Sequence, residues 1–234
     1  MIPVVIVAGG RGERMGAATQ ALPKPMILFG GKPILEHLIE RLAAAGWLEI
    51  HLCLGYRPEA VRAHFGDGSR WGVKLRYHVE KTPRGTAGSV ADVRAEIGED
   101  MLVVYGDLYT DMDFKRFADF HGARPSSAAS IVLIETDHPF DSDLARVDDD
   151  RLTGFYRAKP GAPHEPLALA AVWAVRGPLL DLVHRDRPSD FGRDIFPEAL
   201  RRGLELGAYR TGETLADLGT PERLARAEAE RLNR

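Results

Sequence analysis

Apolar residues along this chain follow two alternating periods. Ile2 to Ala8 is uniformly apolar, rich in β-branched residues and closed by glycine, the pattern of a strand buried on both faces. Pro33 then opens a stretch with Ile34, Leu35, Leu38, Ile39 and Leu42 on one helical face, ending near Gly46; this predicts a proline-started, glycine-ended amphipathic helix. The alternation continues through "IHLCLGY" (strand), "RPEAVRAHF" (helix), "VKLRYHV" (strand), "TAGSVADVRAEI" (helix) and "MLVVYGD" (strand). Such an order predicts an α/β fold, a mainly parallel sheet covered by helices on both faces.

After Asp113 the pattern loosens. "FKRFADFH" reads as a helix, "AASIVLIET" as a strand, "LARVDDDRLTGFYR" as a hairpin turning at Asp149 and Asp150, and "LALAAVWAV" as a further buried strand. Helical stretches are expected around Leu179 to His184 and Arg193 to Arg202, then a short strand "LELGAYR" and a last helix "PERLARAEAERL" opened by Pro221. These elements extend the same sheet. No linker, repeat or low-complexity tract divides the chain, and the proline-rich "RAKPGAPHEP" is too short for a boundary, so one domain, 1–234, is expected with halves of about 1–112 and 113–234.

With 44% hydrophobic residues the chain can bury a sizeable core without disulfides. Its 31 basic and 34 acidic residues give a net charge of −3, and neither sign runs in a block, which argues against a nucleic-acid or membrane footprint. The single cysteine, Cys53, lies in an apolar run and reads as a core thiol. The first apolar run is too short for a signal segment, so a cytoplasmic protein is expected. The charged "RLARAEAERLNR" reads as a solvated helix face or an oligomer contact. Histidines His37, His51, His78, His138, His164 and His184 show no HxxH or HExxH spacing, so no zinc site is expected. No GxSxG surrounds Ser89 or Ser130.

Three places could carry chemistry. "AGGRGERMG", Ala8 to Gly16, is a glycine loop between a strand and later helix, able to turn backbone N–H groups toward phosphate; an ordinary turn is the plainer reading. It lacks the immediate helix and downstream acid of a dinucleotide fingerprint, and GxxxxGK[ST] is absent. In "LPKPMI" the prolines flanking Lys24 predict a stiff, extended backbone carrying a flexible ammonium, which with Arg11 and Arg14 suggests a triphosphate clamp. Asp107 just past the strand "MLVVY" and Asp217 before the last helix are two carboxylates suited to Mg²⁺, although each could simply cap a turn.

Together these segments resemble the sugar-1-phosphate nucleotidyltransferases (NDP-sugar pyrophosphorylases) from end to end. The resemblance is carried by "AGGRGERMG", "PKP", "PRGTAGS", "YGD", "AKP" and "DLGTPERL"; "GDGSRWG", "GDLYTDMDF" and "SDFGRDIFP" look most like the subgroup of heptose-1-phosphate guanylyltransferases and N-acetylmuramate-1-phosphate uridylyltransferases. It implies a Rossmann-like three-layer α/β/α nucleotidyltransferase fold with a mixed, mainly parallel sheet, an N-terminal half that binds nucleoside triphosphate and a second half that binds sugar phosphate. It further implies Arg14, Lys24 and Asp107 as catalytic residues and Asp107 and Asp217 as Mg²⁺ ligands. Ala8, Gly9, Gly10, Gly12, Glu80, Pro83, Gly85, Thr86 and Gly88 would surround the nucleotide, and Tyr105, Gly106, Lys159, Leu169, Ala171 and Trp173 the sugar phosphate.

Glu80 leans the base toward guanine, with UTP, dTTP and CTP open. Two departures bear on the acceptor: Ala158 replaces a glutamate in "AKP", and Leu169, Ala170 and Ala171 replace "NAG". Loss of hydroxyl-binding side chains predicts poor use of plain glucose 1-phosphate and suits a modified sugar or polyol phosphate. No further β-helix or second catalytic region is seen, so nucleotidyl transfer alone is expected. Two rivals are a non-catalytic nucleotide sensor, which would commonly lose the residues retained here, and a glycosyltransferase, whose DxD is matched only by the displaced "DMD" at Asp111 to Asp113.

Overall fold

The computed structural model describes residues 1–16, 19, 22–161 and 165–232. His164 and most of the stretch between Gly16 and Leu22 lie outside the described residues. In chain order the strands are β1 (Val4–Ala8), β2 (Leu28–Phe29), β3 (Lys32–Pro33), β4 (Glu49–Leu54), β5 (Lys74–Val79), β6 (Met101–Tyr105), β7 (Leu108–Thr110), β8 (Ala129–Glu135), β9 (Leu144–Asp148), β10 (Arg151–Tyr156), β11 (Leu167–Val175), β12 (Leu206–Arg210) and β13 (Leu215–Asp217). The helices are α1 (Ile34–Ala44), α2 (Pro58–Phe65), α3 (Gly85–Ile97), α4 (Phe114–Gly122), α5 (Gly177–Leu180), α6 (Phe196–Arg201) and α7 (Pro221–Leu232). Among the described residues no helix is long and apolar enough to cross a membrane.

Nine strands form one mixed sheet in the order β5-β4-β1-β6-β11-β8-β12-β10-β9. The first four are parallel, with Val4 opposite Ile50 and Leu102. From β6 onward only β8 and β12 pair in parallel; β11 runs antiparallel to both its neighbours. The chain leaves β1 for β4 and β5 on one side and returns to β6 on the other. The crevice beyond the carboxyl ends of β1 and β6 is therefore a topological switch point, where open α/β sheets bind ligands.

Alternation along β1 explains the two cores. Val4 and Ile6 face α1, α2 and α4 through Leu35, Leu38, Val61, Phe65, Phe114 and Phe117, while Val5 faces α3 and the second-half helices through Val90, Val93, Phe191 and Phe196. Cys53 lies in the second layer, and burial pushes its thiol up to about 12.

Three expectations change. Lys24, Pro25 and Met26 form a 3₁₀ turn rather than an extended stalk, because proline tolerates the first turn of a helix, where its missing N–H costs nothing. The helix expected over Leu179 to His184 starts earlier, at Gly177, and ends at Leu180. Arg193 lies in a π-helical turn, Phe191–Ile195, which runs into α6 and inserts an extra residue where the sequence reads as plain helix.

In β11 the register shifts between Leu169 and Trp173, and Ala171 adopts φ of 58°. This bulge holds a non-glycine residue in the left-handed region, where the β-carbon costs about 1–2 kcal/mol. Ala171→Gly is expected to raise stability by about 1 kcal/mol in urea unfolding, the relief of strain exceeding glycine's greater chain entropy. A loss of stability would show that the bulge is held without strain.

Candidate functional site

The loop after β1 takes its shape from what it touches. Gly12 has φ of 66°, and a β-carbon there would lie 2.8 Å from Lys24 Cβ, so the loop rests directly on the lysine turn. A β-carbon on Gly9 would lie 2.7 Å from Glu80 Oε1, which brings that carboxylate against the loop backbone. Gly10 has open space beside it. Arg14 stands exposed on the short turn Glu13–Met15, and the Arg11 guanidinium lies 5.8 Å from the centre of the Tyr56 ring. Backbone amides, two arginines and a glycine-lined floor suit a polyanion.

Beneath the loop, Lys24 is the centre of an ion cluster. Its side chain is only 9% exposed, and its ammonium pairs with Asp107 Oδ2 and, at 3.4 Å, with Asp217 Oδ1. Asp107 sits beyond β6, and Asp217 ends β13, which is held antiparallel to β7. The second oxygen of Asp217 accepts from Arg223 Nη1 at 2.7 Å, and Arg223 also pairs with Asp141. Gly219 leaves the space open: a β-carbon there would be 2.5 Å from Asp217 Oδ1 and 2.9 Å from Lys24 Nζ. Two carboxylates thus converge on the Lys24 ammonium, and such an all-oxygen pair could also hold Mg²⁺.

The cleft measures about 1410 Å³ and is lined by Ala8, Gly9, Gly10, Gly12, Arg14, Lys24, Glu80, Pro83, Thr86, Tyr105 and Asp107, all singled out in the sequence. Glu80 accepts from the Arg84 backbone N–H at 2.7 Å, and burial raises its carboxyl above the usual glutamate value. Thr86 Oγ1 donates to Asp190 Oδ2 at 2.9 Å. Gly85 and Gly88 do not line the cleft. Gly85, at φ 72°, lets the chain pass Ser189, whose carbonyl oxygen would meet a β-carbon at 2.5 Å; Gly88 packs under Arg84.

A second compartment opens beside the first, and Arg14, Tyr105 and Asp107 line both. Leu169, Ala171 and Trp173 form its apolar wall, with the Tyr105 ring edge-on to Trp173 at 5.0 Å. Trp173 Nε1 is buried without a hydrogen-bond partner among the described residues. Gly106 is absent from both linings; a β-carbon there would press on Ala8 Cβ at 2.9 Å. Lys159 is exposed on the loop after β10, and the cation of that loop that lines the cleft is Arg157.

Polar groups of this compartment come from residues not assigned to the site from the sequence, although "SDFGRDIFP" carries part of the resemblance. Ser142 and Asp143 follow β8, and Asp190, Gly192 and Arg193 lie at the π-helical turn. The acidic run "DHPFDSD" directly after a buried strand is the signal that could have revealed the first group. Asp190 is committed to the fold, since Oδ1 accepts from the N–H groups of Gly192 and Arg193. Asp143 pairs with Arg157 at 2.9 Å.

A family model described as Nucleotidyl transferase matches residues 3–234. The chain is 30% identical over 98% of its length to the mannose-1-phosphate guanylyltransferase of Mycobacterium tuberculosis, and 32% identical over 93% to the mannose-1-phosphate guanyltransferase of Candida albicans. It spans 64% and 61% of those relatives' lengths. Among solved structures, HddC from Yersinia pseudotuberculosis complexed with GMP-PN has the same fold, with a TM-score of 0.81 at 24% identity over 99% of this chain and 100% of that one.

The ion cluster predicts a stability effect. Lys24→Met leaves two carboxylates facing each other without their shared cation, an expected loss of about 1–3 kcal/mol at neutral pH; it is smaller than for a fully buried pair because both carboxylates keep some water. Urea unfolding of the variant measures it, and Lys24→Arg should recover part of the loss.

Proposed function

The chain belongs to the nucleotidyl transferase family, and we propose that it transfers a nucleoside monophosphate from a nucleoside triphosphate, GTP by preference, to a sugar 1-phosphate or related polyol phosphate, yielding an NDP-sugar and pyrophosphate. One observation carries this reading: two compartments meet at Arg14, Tyr105 and Asp107, directly over the Lys24 cluster. Ligands bound in each would meet beside Arg14, the Lys24 ammonium and the carboxylates of Asp107 and Asp217. The names of the guanylyltransferase relatives support both the reaction class and the base.

In this reaction an oxygen of the acceptor phosphate attacks the α-phosphorus in line. The new P–O bond forms as the bond to the β-phosphate breaks, and pyrophosphate leaves with the electron pair. Positioning and charge neutralisation do most of the work, and no covalent enzyme nucleophile is required. Backbone N–H groups of Gly9, Gly10 and Gly12 hold the triphosphate, Arg14 neutralises charge on the transferring and leaving groups, and the Lys24 ammonium contacts the α-phosphate. Asp107 and Asp217 would hold Mg²⁺, which when bound screens the repulsion between the two phosphates. Arg157, on the same loop as Lys159, lines the nucleotide cleft and adds positive charge there.

Glu80 can accept from both N1–H and the 2-amino group of guanine. The acceptor wall is apolar at Leu169, Ala170 and Ala171, and its polar contacts come from Ser142 and Asp143 instead. That arrangement favours an acceptor whose hydroxyls or substituents differ from those of plain glucose 1-phosphate.

Pyrophosphate release should appear with Mg²⁺, one nucleoside triphosphate and a suitable acceptor, be fastest with GTP among GTP, UTP, dTTP and CTP, and vanish in Asp107→Ala. Failure of every phosphorylated sugar and polyol tested, with nucleotide still bound, would favour a sensor. Glu80→Gln should lower kcat/KM for GTP by about 10- to 100-fold and narrow the difference from UTP, as expected for loss of a charged hydrogen bond. Because burial raises the Glu80 carboxyl, the carboxylate form is lost at a higher pH than for an exposed glutamate. KM for GTP should therefore rise on acidification in the wild type, and a KM–pH profile of Glu80→Gln should lack that rise.

A further inference from the structure

Away from the cleft, β4, β5 and α3 bring together His51, His78 and Glu96. One potential donor atom from each lies within 4.8 Å of the other two. His51 is 7% exposed, its ring stacks on that of His78 with centroids 5.2 Å apart, and His51 Nδ1 lies 3.0 Å from His78 Nε2. Glu96 Oε2 is 3.7 Å from His78 Nδ1. The expectation of no zinc site, drawn from the lack of HxxH or HExxH spacing, does not reach this grouping, because its members come from three elements and meet only through parallel pairing and helix packing.

We propose that His51, His78 and Glu96 form a binding site for one divalent transition ion of the zinc class, separate from the magnesium-type carboxylates of the cleft. Two imidazoles and one carboxylate are a borderline-soft donor set that favours zinc over magnesium, and three protein ligands leave a further position for water. Two nitrogens bound tetrahedrally at about 2.0–2.1 Å lie roughly 3.3 Å apart, close to the present spacing of His51 Nδ1 and His78 Nε2, while the exposed Glu96 side chain, now nearest His78 Nδ1, has to swing in to complete the set. Here the ion replaces the proton that the two rings otherwise share. Burial holds both imidazoles below their ordinary pKa, helped by the neighbouring His78 at His51 and by Arg76 at His78.

An entry path and a charge balance are both present. His51 and Glu96 face a groove bordered by Met1, Pro3, Leu48 and Ile97. Arg76 also borders it and would repel a cation, but its Nε is 3.0 Å from Glu49 Oε1, and Glu49 lies 3.9 Å from His51 Nε2. The ion would tie the end of β5 to the end of α3. Those elements lead into and out of the loop carrying Glu80, two residues beyond His78.

Chelator-stripped protein, kept in excess Mg²⁺ to occupy hard oxygen sites, would be titrated with Zn²⁺ by calorimetry and with Co²⁺ by visible absorption. One equivalent should bind, raise Tm, and give the strong visible bands of a four-coordinate cobalt site. His78→Ala should weaken binding by about 100-fold and Glu96→Gln by about tenfold, with both variants folded by circular dichroism. Glu96 is exposed, so its variant tests the site even if His78→Ala unfolds. No uptake by the wild type, or equal uptake by wild type and Glu96→Gln, would overturn the assignment. Neither readout needs nucleotide, so the result stands apart from the proposed transferase activity.

Discussion

A buried ammonium cannot stand alone, and the architecture of the cleft follows from how Lys24 is accommodated. Its cation is shielded from water and persists because Asp107, from the middle of the chain, and Asp217, from near its end, both reach it. Gly12 leaves room for its stem, and Gly219 leaves room for its head. Arg223 on α7 fixes the far side of Asp217 and reaches Asp141, so the last helix is fastened to the cleft by charge as well as by the small apolar cluster of Phe29, Ile34 and Leu218.

The sheet gives that cluster a rigid base. Parallel strands β1 and β6 end side by side, so the glycine loop and Asp107 emerge from adjacent, largely buried strands that hold them in place. On the other side the antiparallel strand β11 brings its bulge to the wall of the second compartment, with Tyr105, Trp173, Phe191 and Phe196 packed ring against ring behind it. One compartment thus has a floor of glycine backbone, and its neighbour a floor of aromatic side chains. This difference suits the proposed triphosphate on one side and the proposed acceptor's carbon skeleton on the other.

Local period and punctuation made much of this legible in the sequence. The uniformly apolar run at β1, the one-sided apolar face of α1 and the Asp149–Asp150 turn each carry their own signal, and each is found in place. The glycine loop and the Lys24 segment stand out in the sequence and the fold brings them together, yet the shape of the lysine turn is not legible there, because proline fits an extended segment and the start of a helix equally well. Lys159 and Arg157 illustrate a second limit: both are basic residues on one loop, and which of them faces the cleft depends on how that loop packs. Asp143 and the His51–His78–Glu96 group are harder still, since each is brought to its partners from distant parts of the chain and no local pattern records it.

The position of β11 has a consequence for the birth of the molecule. The nine-stranded sheet passes from β6 to β8 only through β11, although β8 precedes it in the chain. On the ribosome, the parallel quartet ending in β6 is synthesised well before the strand that covers its edge. For several seconds at ordinary elongation rates, the backbone hydrogen-bonding groups along Met101–Tyr105, one of the most apolar stretches of the protein, have no neighbour on that side. The nascent chain therefore carries its stickiest edge at its middle, making this a natural place for a chaperone to act.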